Sequence, residues 1–202
     1  MKEKPEKQTY SPKRLPGRWA LGFAMDMHTV SSTFAGYDEF GHEQFETERT
    51  YLGDLLYRLK YRNDRSALTI LAKQVAHFVE RRLDPEVLIP CPATRKRRRQ
   101  PVLEISARVG QLLTLPVVQA IHKIGATREL KSVHDYTERM TLLESALRLT
   151  RAAAQVRGKR VLLLDDLWRS GATLNAAANI LGDRAAVGKL MVLAITKTRS
   201  NR

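Results

Sequence analysis

Cysteine is nearly absent from this sequence, since Cys91 is the only one among 202 residues. A single cysteine can form neither an intramolecular disulfide nor a cysteine-cluster zinc site. No run of about 18 apolar residues is present, which is the length that a membrane-spanning helix needs. The polar N-terminus lacks the apolar core of a secretory signal, and the five histidines have no ligand-like spacing. We therefore expect a cytoplasmic protein.

Positive charge is in large excess and is unevenly placed. The formal net charge is +14, and the sequence pI is about 10.3. Residues 1 to 18 hold six basic and two acidic side chains, and residues 95 to 99 are all basic. This excess indicates a polyanionic partner, but composition does not separate a diphosphate substrate from single- or double-stranded DNA. Residues 1 to 17, which include three prolines, are predicted to form a disordered basic tail.

Strand-like and helix-like segments alternate from residue 85 onward, and this indicates a doubly wound, mostly parallel α/β sheet. Buried strands are predicted at 86 to 89, 117 to 121, 160 to 164 and 190 to 195, with one helix beginning at Pro101 and another following Thr173. Residues 122 to 144 are polar and irregular, and a stretch of this length in a compact domain is typical of a lid. Residues 85 to 202 are accordingly assigned to the α/β core.

Residues 18 to 84 are predicted to form a small N-terminal hood with two helices. Short strands are predicted at 19 to 25 and 30 to 34, with a turn at 37 to 41. Leucines at helical spacing from Leu52 to Leu59 then mark an amphipathic helix, and a second helix follows Asp64.

The segment from Val161 to Leu174 carries the strongest chemical pattern. An apolar run ends in Asp165 and Asp166, passes through a short loop of small residues and opens into a helix. Ligands of open α/β sheets bind at this carboxyl edge. The backbone N–H groups of residues 169 to 173 can converge on an anion, helped by the helix dipole. Gly171 permits close approach, while Ser170 and Thr173 supply hydroxyls, with Thr173 predicted as the helix N-cap and Gly182 as its end.

Two acidic side chains directly before an anion loop cannot themselves bind phosphate. Asp165 and Asp166 suit the 2- and 3-hydroxyls of a ribose, either directly or through Mg²⁺, which prefers oxygen ligands. The alternative is an aspartate pair that only caps the turn after the strand. The apolar strand before the pair and the Ser-Gly-Ala-Thr loop after it favour the ligand site.

The loop after the strand at 86 to 89 shares this edge of the predicted sheet. Residues 90 to 95 could form a tight turn that presents N–H groups to pyrophosphate, with Arg95 and Arg99 neutralising the leaving group. A solvated basic loop or a nucleic-acid patch explains the same residues equally well. The polar residues Thr127, Lys131, Asp135, Glu138 and Arg139 belong to the predicted lid.

The Asp165 to Thr173 motif resembles the phosphoribosyl pyrophosphate (PRPP) signature of type I phosphoribosyltransferases. More specifically, four segments follow the order seen in the ComF-like family, bacterial proteins of this fold that are linked to natural DNA uptake. These segments are 59 to 62, 89 to 92 with the arginine-rich loop, 127 to 139 and 164 to 173. The resemblance covers the chain from about residue 50 to its end.

The resemblance implies a PRPP site with Mg²⁺ as cofactor and a homodimer as one possible assembly. Asp165 and Asp166 would lie at the ribose hydroxyls and the metal. The 5-phosphate would be held by Arg169, Ser170, Gly171, Ala172 and Thr173, and pyrophosphate by Cys91, Pro92, Ala93, Thr94 and Arg95. The supporting cations would be Lys60, Arg99 and Arg139.

The predicted function is a PRPP- and Mg²⁺-dependent phosphoribosyltransferase, in DNA uptake or nucleotide metabolism. A nitrogen of an unidentified acceptor would attack C1 of the ribose as pyrophosphate leaves, with Asp165, Asp166, Lys60 and Arg139 as catalytic residues and none as a covalent nucleophile. Charge neutralisation and positioning would supply the catalysis. The alternative is a non-catalytic regulator on the same fold that senses PRPP and binds nucleic acid.

Overall fold

The computed structural model describes residues 10 to 93, 99 to 124 and 135 to 199, without the side chains of Tyr136 and Arg139. The N-terminal half contains β1 (Lys13–Arg14), β2 (Leu21–Met27), β3 (Thr29–Tyr37), β4 (Glu43–Arg49), α1 (Tyr51–Tyr61), α2 (Arg65–Arg82) and β5 (Val87–Pro90). The remainder contains α3 (Pro101–Leu113), β6 (Ile121–Lys123), α4 (Tyr136–Ala146), β7 (Leu147–Leu149), a 3₁₀ helix (Arg151–Val156), β8 (Arg160–Trp168), α5 (Ala172–Asp183) and β9 (Lys189–Lys197).

The main sheet has five strands in the order β1-β2-β9-β8-β5. Strands β2, β9, β8 and β5 run parallel to their neighbours, while β1 pairs antiparallel with β2. The predicted mostly parallel α/β class is therefore confirmed. Strand β2 lies in the segment assigned to the N-terminal hood, yet its register with β9 makes it part of this sheet.

Helices cover both faces of the sheet. In β8, Val161 and Leu163 belong to the core beneath α5, while Leu162 and Leu164 face the core formed with α1, α2 and α3. All four side chains are fully buried. Burial on both faces explains why this strand is a continuous apolar run without alternation.

Capping residues set the start of the two helices on the second face. Thr50 Oγ1 accepts a hydrogen bond from Gly53 N and donates one to Met27 O, so it caps α1 and joins it to β2. Asp64 Oδ1 accepts from the N–H groups of Ser66 and Ala67 at the start of α2. Within the described part of the chain, no helix combines the length and apolar character needed to cross a membrane.

The strand predicted at 117 to 121 is wrong in most of its length. Only Val117 forms a bridge to Leu88, flanked by hydrogen bonds from Leu88 N to Pro116 O and from Val118 N to Leu88 O. The chain then turns, and β6 begins at Ile121 and pairs antiparallel with β7 in a separate ribbon. A run of apolar residues indicates that a segment is buried, but it does not indicate which strand that segment pairs with.

Two segments predicted as irregular contain regular structure. Residues 10 to 17 of the predicted tail lie against the sheet, where β1 pairs with β2 and Leu15 is buried. Within the predicted lid, residues 136 to 146 form α4, capped by Asp135, whose Oδ1 accepts a hydrogen bond from Glu138 N. Residues 1 to 9 and 125 to 134, which include Thr127 and Lys131, lie outside the described residues.

Strands β3 and β4 form a two-stranded hairpin outside the main sheet, which we call the arm (residues 29 to 49). Its turn is closed by a hydrogen bond from Gly41 N to Asp38 O, within the predicted turn at 37 to 41. The arm follows β2 directly, so it begins at the carboxyl edge of the parallel sheet.

Candidate active site

A cavity of about 280 Å³ opens where the carboxyl ends of β5 and β8 meet. Its walls come from the ends of these strands, from the last residues of α1 and from the first turns of α3 and α5. The lining includes Lys60, Tyr61, Cys91, Pro92, Ala93, Gln100, Pro101, Val102 and residues 165 to 174. The structure thus brings together Lys60 and most of the site residues that the sequence predicts.

The two aspartates lie at the floor of this cavity with different partners. Asp166 Oδ2 is 2.7 Å from Lys60 Nζ, and both side chains are largely buried. Asp165 Oδ1 accepts a hydrogen bond from Asp166 N at 2.9 Å. The end of α1 therefore supplies a cation to the acidic end of β8, a contact between residues more than 100 positions apart in the chain.

Burial and mutual repulsion perturb the ionisation of this cluster. Burial, followed by the negative charge of Asp166, raises the pKa of Asp165 well above its usual range. Lys60 and a hydrogen bond with the Cys91 thiol act in the opposite direction. The pKa of Cys91 is itself raised, first by burial and then by the charges of the two aspartates. Cys91 is thus a buried neutral thiol against Asp165.

The predicted anion loop, residues 169 to 173, ends two residues earlier than predicted. Gly171 is the N-cap of α5, with φ of 81°, and Thr173 lies inside the helix, so the prediction of Thr173 as N-cap is wrong. The predicted end at Gly182 is also wrong, because α5 continues to Asp183. The first helical hydrogen bond runs from Asn175 N to Gly171 O. The amides of residues 172 to 174 therefore belong to the first turn, which has no preceding helical acceptors.

A buried tryptophan packs against this loop. Trp168 is buried, and a Cβ placed on Gly171 would come within 2.3 Å of its ring. The Trp168 ring in turn meets Trp19 edge-on, at 6.0 Å between ring centroids. Trp19 Nε1 donates a hydrogen bond to Leu15 O. The N-terminal segment thus supports the anion loop through two indoles in edge-to-face contact.

The second predicted loop is described only in part. Cys91 N donates to Leu164 O at 2.8 Å, which joins this loop to β8, and Pro92 and Ala93 reach the cavity wall. Thr94 and Arg95 lie outside the described residues, as does the side chain of Arg139. Their predicted contacts with pyrophosphate stay predictions.

Arg99 lies in an adjoining cavity of about 480 Å³ that shares Lys60, Tyr61 and Pro101 with the first. Its Nη1 is 3.9 Å from Glu104 Oε1, and Arg65 also forms an ion pair with Glu104. The structure therefore places Arg99 beside the cavity that holds the aspartates, among the residues at the start of α3.

His28 is a neighbour of the site that sequence reasoning did not assign. It follows β2 at the same edge, and its Nδ1 is 3.0 Å from Thr196 Oγ1. Thr196 Oγ1 donates to Asp166 O at 3.3 Å, so its lone pairs can accept a hydrogen bond from a protonated His28 Nδ1. Burial, then the charges of Lys60 and Arg49, lowers the pKa of His28. The position of His28 directly after an apolar strand was the only signal in the sequence.

Comparison with solved structures gives distant similarities to phosphoribosyltransferases. Adenine phosphoribosyltransferase from Thermoanaerobacter pseudethanolicus is 14% identical, with a TM-score of 0.47, over 84% of this chain and 95% of that one. Orotate phosphoribosyltransferase from Francisella tularensis is 15% identical, with a TM-score of 0.42, over 82% and 80%. An allosteric regulatory enzyme of purine biosynthesis is 17% identical, with a TM-score of 0.44, over 64% of this chain.

The chain spans only a quarter of the length of that purine-biosynthesis enzyme. No protein-family profile matches the sequence, and no curated protein matches it. The ComF-like resemblance therefore stays a prediction. Identities and TM-scores at this level do not assign an activity.

Proposed function

We propose that this chain is a phosphoribosyltransferase that binds PRPP in the cavity at the carboxyl edge of β5 and β8. The observation that carries the proposal is one continuous arrangement. Two aspartates at the end of a buried strand stand shortly before a left-handed glycine and the first turn of a helix, all in the same cavity. The amides of this turn have no acceptor within the helix, and that of Ala172 donates to Ser170 Oγ at 3.4 Å. Acids suited to ribose hydroxyls and amides suited to a phosphate are thus one loop apart.

The phosphate end of the substrate is assigned to the start of α5. The amides of residues 172 to 174 point out of the helix, and the helix dipole adds about 0.3–1 kcal/mol for an anion. Arg169 and Ser170 are exposed at the cavity wall and can contribute a guanidinium and a hydroxyl. Because the dipole is a minor part, directed hydrogen bonds must supply most of the affinity for the 5-phosphate.

The residues present fit a Mg²⁺ ion that is bound mainly by substrate. Mg²⁺ prefers oxygen ligands and is often held by one or two carboxylates plus phosphates and waters. Asp165 and Asp166 offer such carboxylates, and the described ranges contain no group of three or more side chains able to hold a metal. Bound there with PRPP, the ion would supply charge neutralisation for the pyrophosphate. Lys60 supplies a fixed positive charge at Asp166 whether or not the ion is bound.

In the proposed reaction, the bond between C1 of the ribose and the pyrophosphate oxygen breaks while a bond from C1 to an acceptor nitrogen forms. The acceptor loses a proton, and pyrophosphate leaves with its electron pair. Asp165 and Asp166 orient the ribose through its hydroxyls, and the α5 turn holds the 5-phosphate. Positioning of this kind can contribute several kcal/mol to catalysis. The acceptor is proposed only as a nitrogen nucleophile.

The test is release of pyrophosphate from PRPP with Mg²⁺, measured against a panel of nucleobases and amines, together with binding of PRPP. The double variant Asp165→Ala/Asp166→Ala should lower PRPP affinity at least about a hundredfold, because each charged hydrogen bond contributes about 1.5–3 kcal/mol. Asp183→Ala is the matched control, since this carboxylate lies at the far end of α5 and is exposed.

Unchanged PRPP binding by the double variant would refute the site. Binding of PRPP without pyrophosphate release for any acceptor would instead favour the second candidate, a non-catalytic regulator that senses PRPP. The charge of +14 motivates that alternative. It adds the expectation that nucleic-acid affinity falls steeply with salt as counterions are released. Removal of Mg²⁺ with EDTA should abolish pyrophosphate release under the first proposal.

A further inference from the structure

The arm carries a cluster of exposed aromatic side chains. Phe34 is 49% exposed, Phe45 is 51% exposed and Tyr37 is 67% exposed, and Phe40 at the turn is 76% exposed. Phe34 contacts Phe45 across the strands at 5.8 Å and Tyr37 at 5.2 Å, measured between ring centroids. Scattered exposed apolar residues are ordinary, but a contiguous cluster of this kind marks an interaction surface.

The two faces of the arm differ in character because side chains alternate along each strand. Phe34 stands opposite Phe45 in the register, and the neighbouring pair of Thr33 and Glu46 points to the other face. On that other face Ser31 Oγ also donates to Glu48 at 3.5 Å. An isolated two-stranded hairpin is marginally stable in water. Burial of the aromatic face against another surface would therefore stabilise the arm.

The charge of the arm identifies what that surface should be. Residues 29 to 49 contain five acidic residues and one basic residue, a net charge of −4. The whole chain carries +14, so the residues outside the arm carry +18. Complementary charge guides association and disfavours contact between like surfaces. A second copy of this chain offers the arm a strongly basic body, whereas two arms would repel each other.

The base of the arm is fixed to the fold while its tip projects. Thr50 N donates to His28 O at 3.3 Å, and Arg199 Nη2 donates to Val30 O at 2.6 Å, so the two ends of the arm are anchored at its base. A nine-residue strand is about 30 Å long at 3.3 Å per residue, which is enough to reach across to a neighbouring molecule. An anchored projecting ribbon loses little freedom on binding.

We propose that the aromatic face of the arm docks on the basic body of a second copy of this chain, so that two copies exchange arms around a two-fold axis. Such an isologous arrangement places two identical contacts in one dimer. The aromatic side chains supply the buried apolar core of each contact, and the net negative charge of the arm favours the basic body over a second arm.

The experiment is sedimentation velocity on the full chain over a range of protein and salt concentrations. The parent should form a dimer that weakens as NaCl is raised, because the contact joins opposite charges. Phe34→Thr/Phe45→Thr keeps strand-forming residues and should weaken the dimer at least about tenfold, the loss of roughly one interface hot spot. Leu112→Thr, which replaces an exposed apolar residue on α3, is the control and should leave the dimer unchanged.

A second variant tests the charge independently of the aromatic residues. Glu39→Lys/Glu43→Lys brings the arm from −4 to zero without touching Asp38, whose carboxylate organises the turn. It should weaken the dimer and flatten its dependence on salt. Circular dichroism with unchanged thermal unfolding confirms that the variants are folded. A monomer at all concentrations overturns the proposal, as does a dimer insensitive to both arm variants. A dimer that strengthens with salt also overturns it, because it indicates contact between two arms.

Discussion

Replacing Gly171 by alanine perturbs the candidate site at the residue that shapes the anion loop. Gly171 has φ of 81°, in the left-handed region, and it lies directly over the Trp168 ring. Alanine brings two separate problems. Its Cβ disfavours the left-handed backbone, and the same atom would come within 2.3 Å of ring carbons that cannot flex away.

The expected loss of stability is the sum of the cost of the backbone conformation and the cost of the steric contact. The left-handed conformation costs an L-residue about 1–2 kcal/mol, and insertion of a methyl group into a packed site costs about 1–3 kcal/mol. A loss of about 2–5 kcal/mol in the free energy of unfolding is expected if the loop keeps its shape. For a chain of this size that corresponds to a decrease in Tm of about 4–20 °C. If the loop relaxes instead, the amides lose their convergence and PRPP affinity falls.

The assay measures both outcomes on one variant. Trp19 and Trp168 are the only tryptophans, and they contact each other, so their emission reports on the environment of the loop. Thermal unfolding followed by this emission gives Tm, and titration with PRPP gives affinity. Gly182→Ala is the matched control in the same helix, because a Cβ there meets nothing within 4 Å. It should stabilise the protein by about 0.5–1 kcal/mol.

A Gly171→Ala variant with both the Tm and the PRPP affinity of the parent would refute this reasoning. It would mean that neither the backbone conformation nor the contact with Trp168 constrains the loop. A decrease shared equally by Gly182→Ala would refute it as well, since the effect would then belong to the helix and not to the loop.

Three further predictions concern stability, each measured by urea unfolding. Thr50→Ala should lose about 1 kcal/mol, because it removes the α1 cap, and Thr50→Ser should retain most of it; equal losses would contradict this. Leu56→Ala should lose about 2–5 kcal/mol from the buried core, against less than about 1 kcal/mol for exposed Leu112→Ala. Burial lowers the pKa of His28. Below about pH 6.5 the unfolded chain therefore binds a proton that the folded chain does not, and the free energy of unfolding decreases as the pH is lowered through this range. His28→Gln should reduce that slope between pH 7.5 and 5.5, and an unchanged slope would exclude His28 as its source.

Much of the fold was predictable because buried strands and helix faces have characteristic local patterns of apolar residues. The continuous apolar run at 161 to 164 indicated a strand covered on both faces, and this burial is confirmed. The leucines at 52, 55, 56 and 59 indicated one helix face, and all four are buried in α1. The parallel sheet followed from the alternation of strands and helices, and it is confirmed as well.

The errors share a physical cause. The strand at 117 to 121 was apolar enough to be buried, but the turn after Val118 carried the chain to a different partner. The helix α4 was missed because its apolar residues are sparse and its start depends on Asp135 as a cap. Thr173 is a good N-cap by residue type, yet the left-handed conformation of Gly171 starts α5 earlier.

The sequence by itself determined which groups share one loop region, because Asp165, Asp166 and Gly171 lie within seven residues of one strand, turn and helix start. Tertiary structure alone decided what surrounds that loop. It places Lys60 on Asp166, Trp19 edge-on against Trp168 and His28 beside Thr196, and it leaves the aromatic face of the arm exposed. These contacts join residues far apart in the chain. They depend on strand order and helix packing, which local residue patterns do not encode.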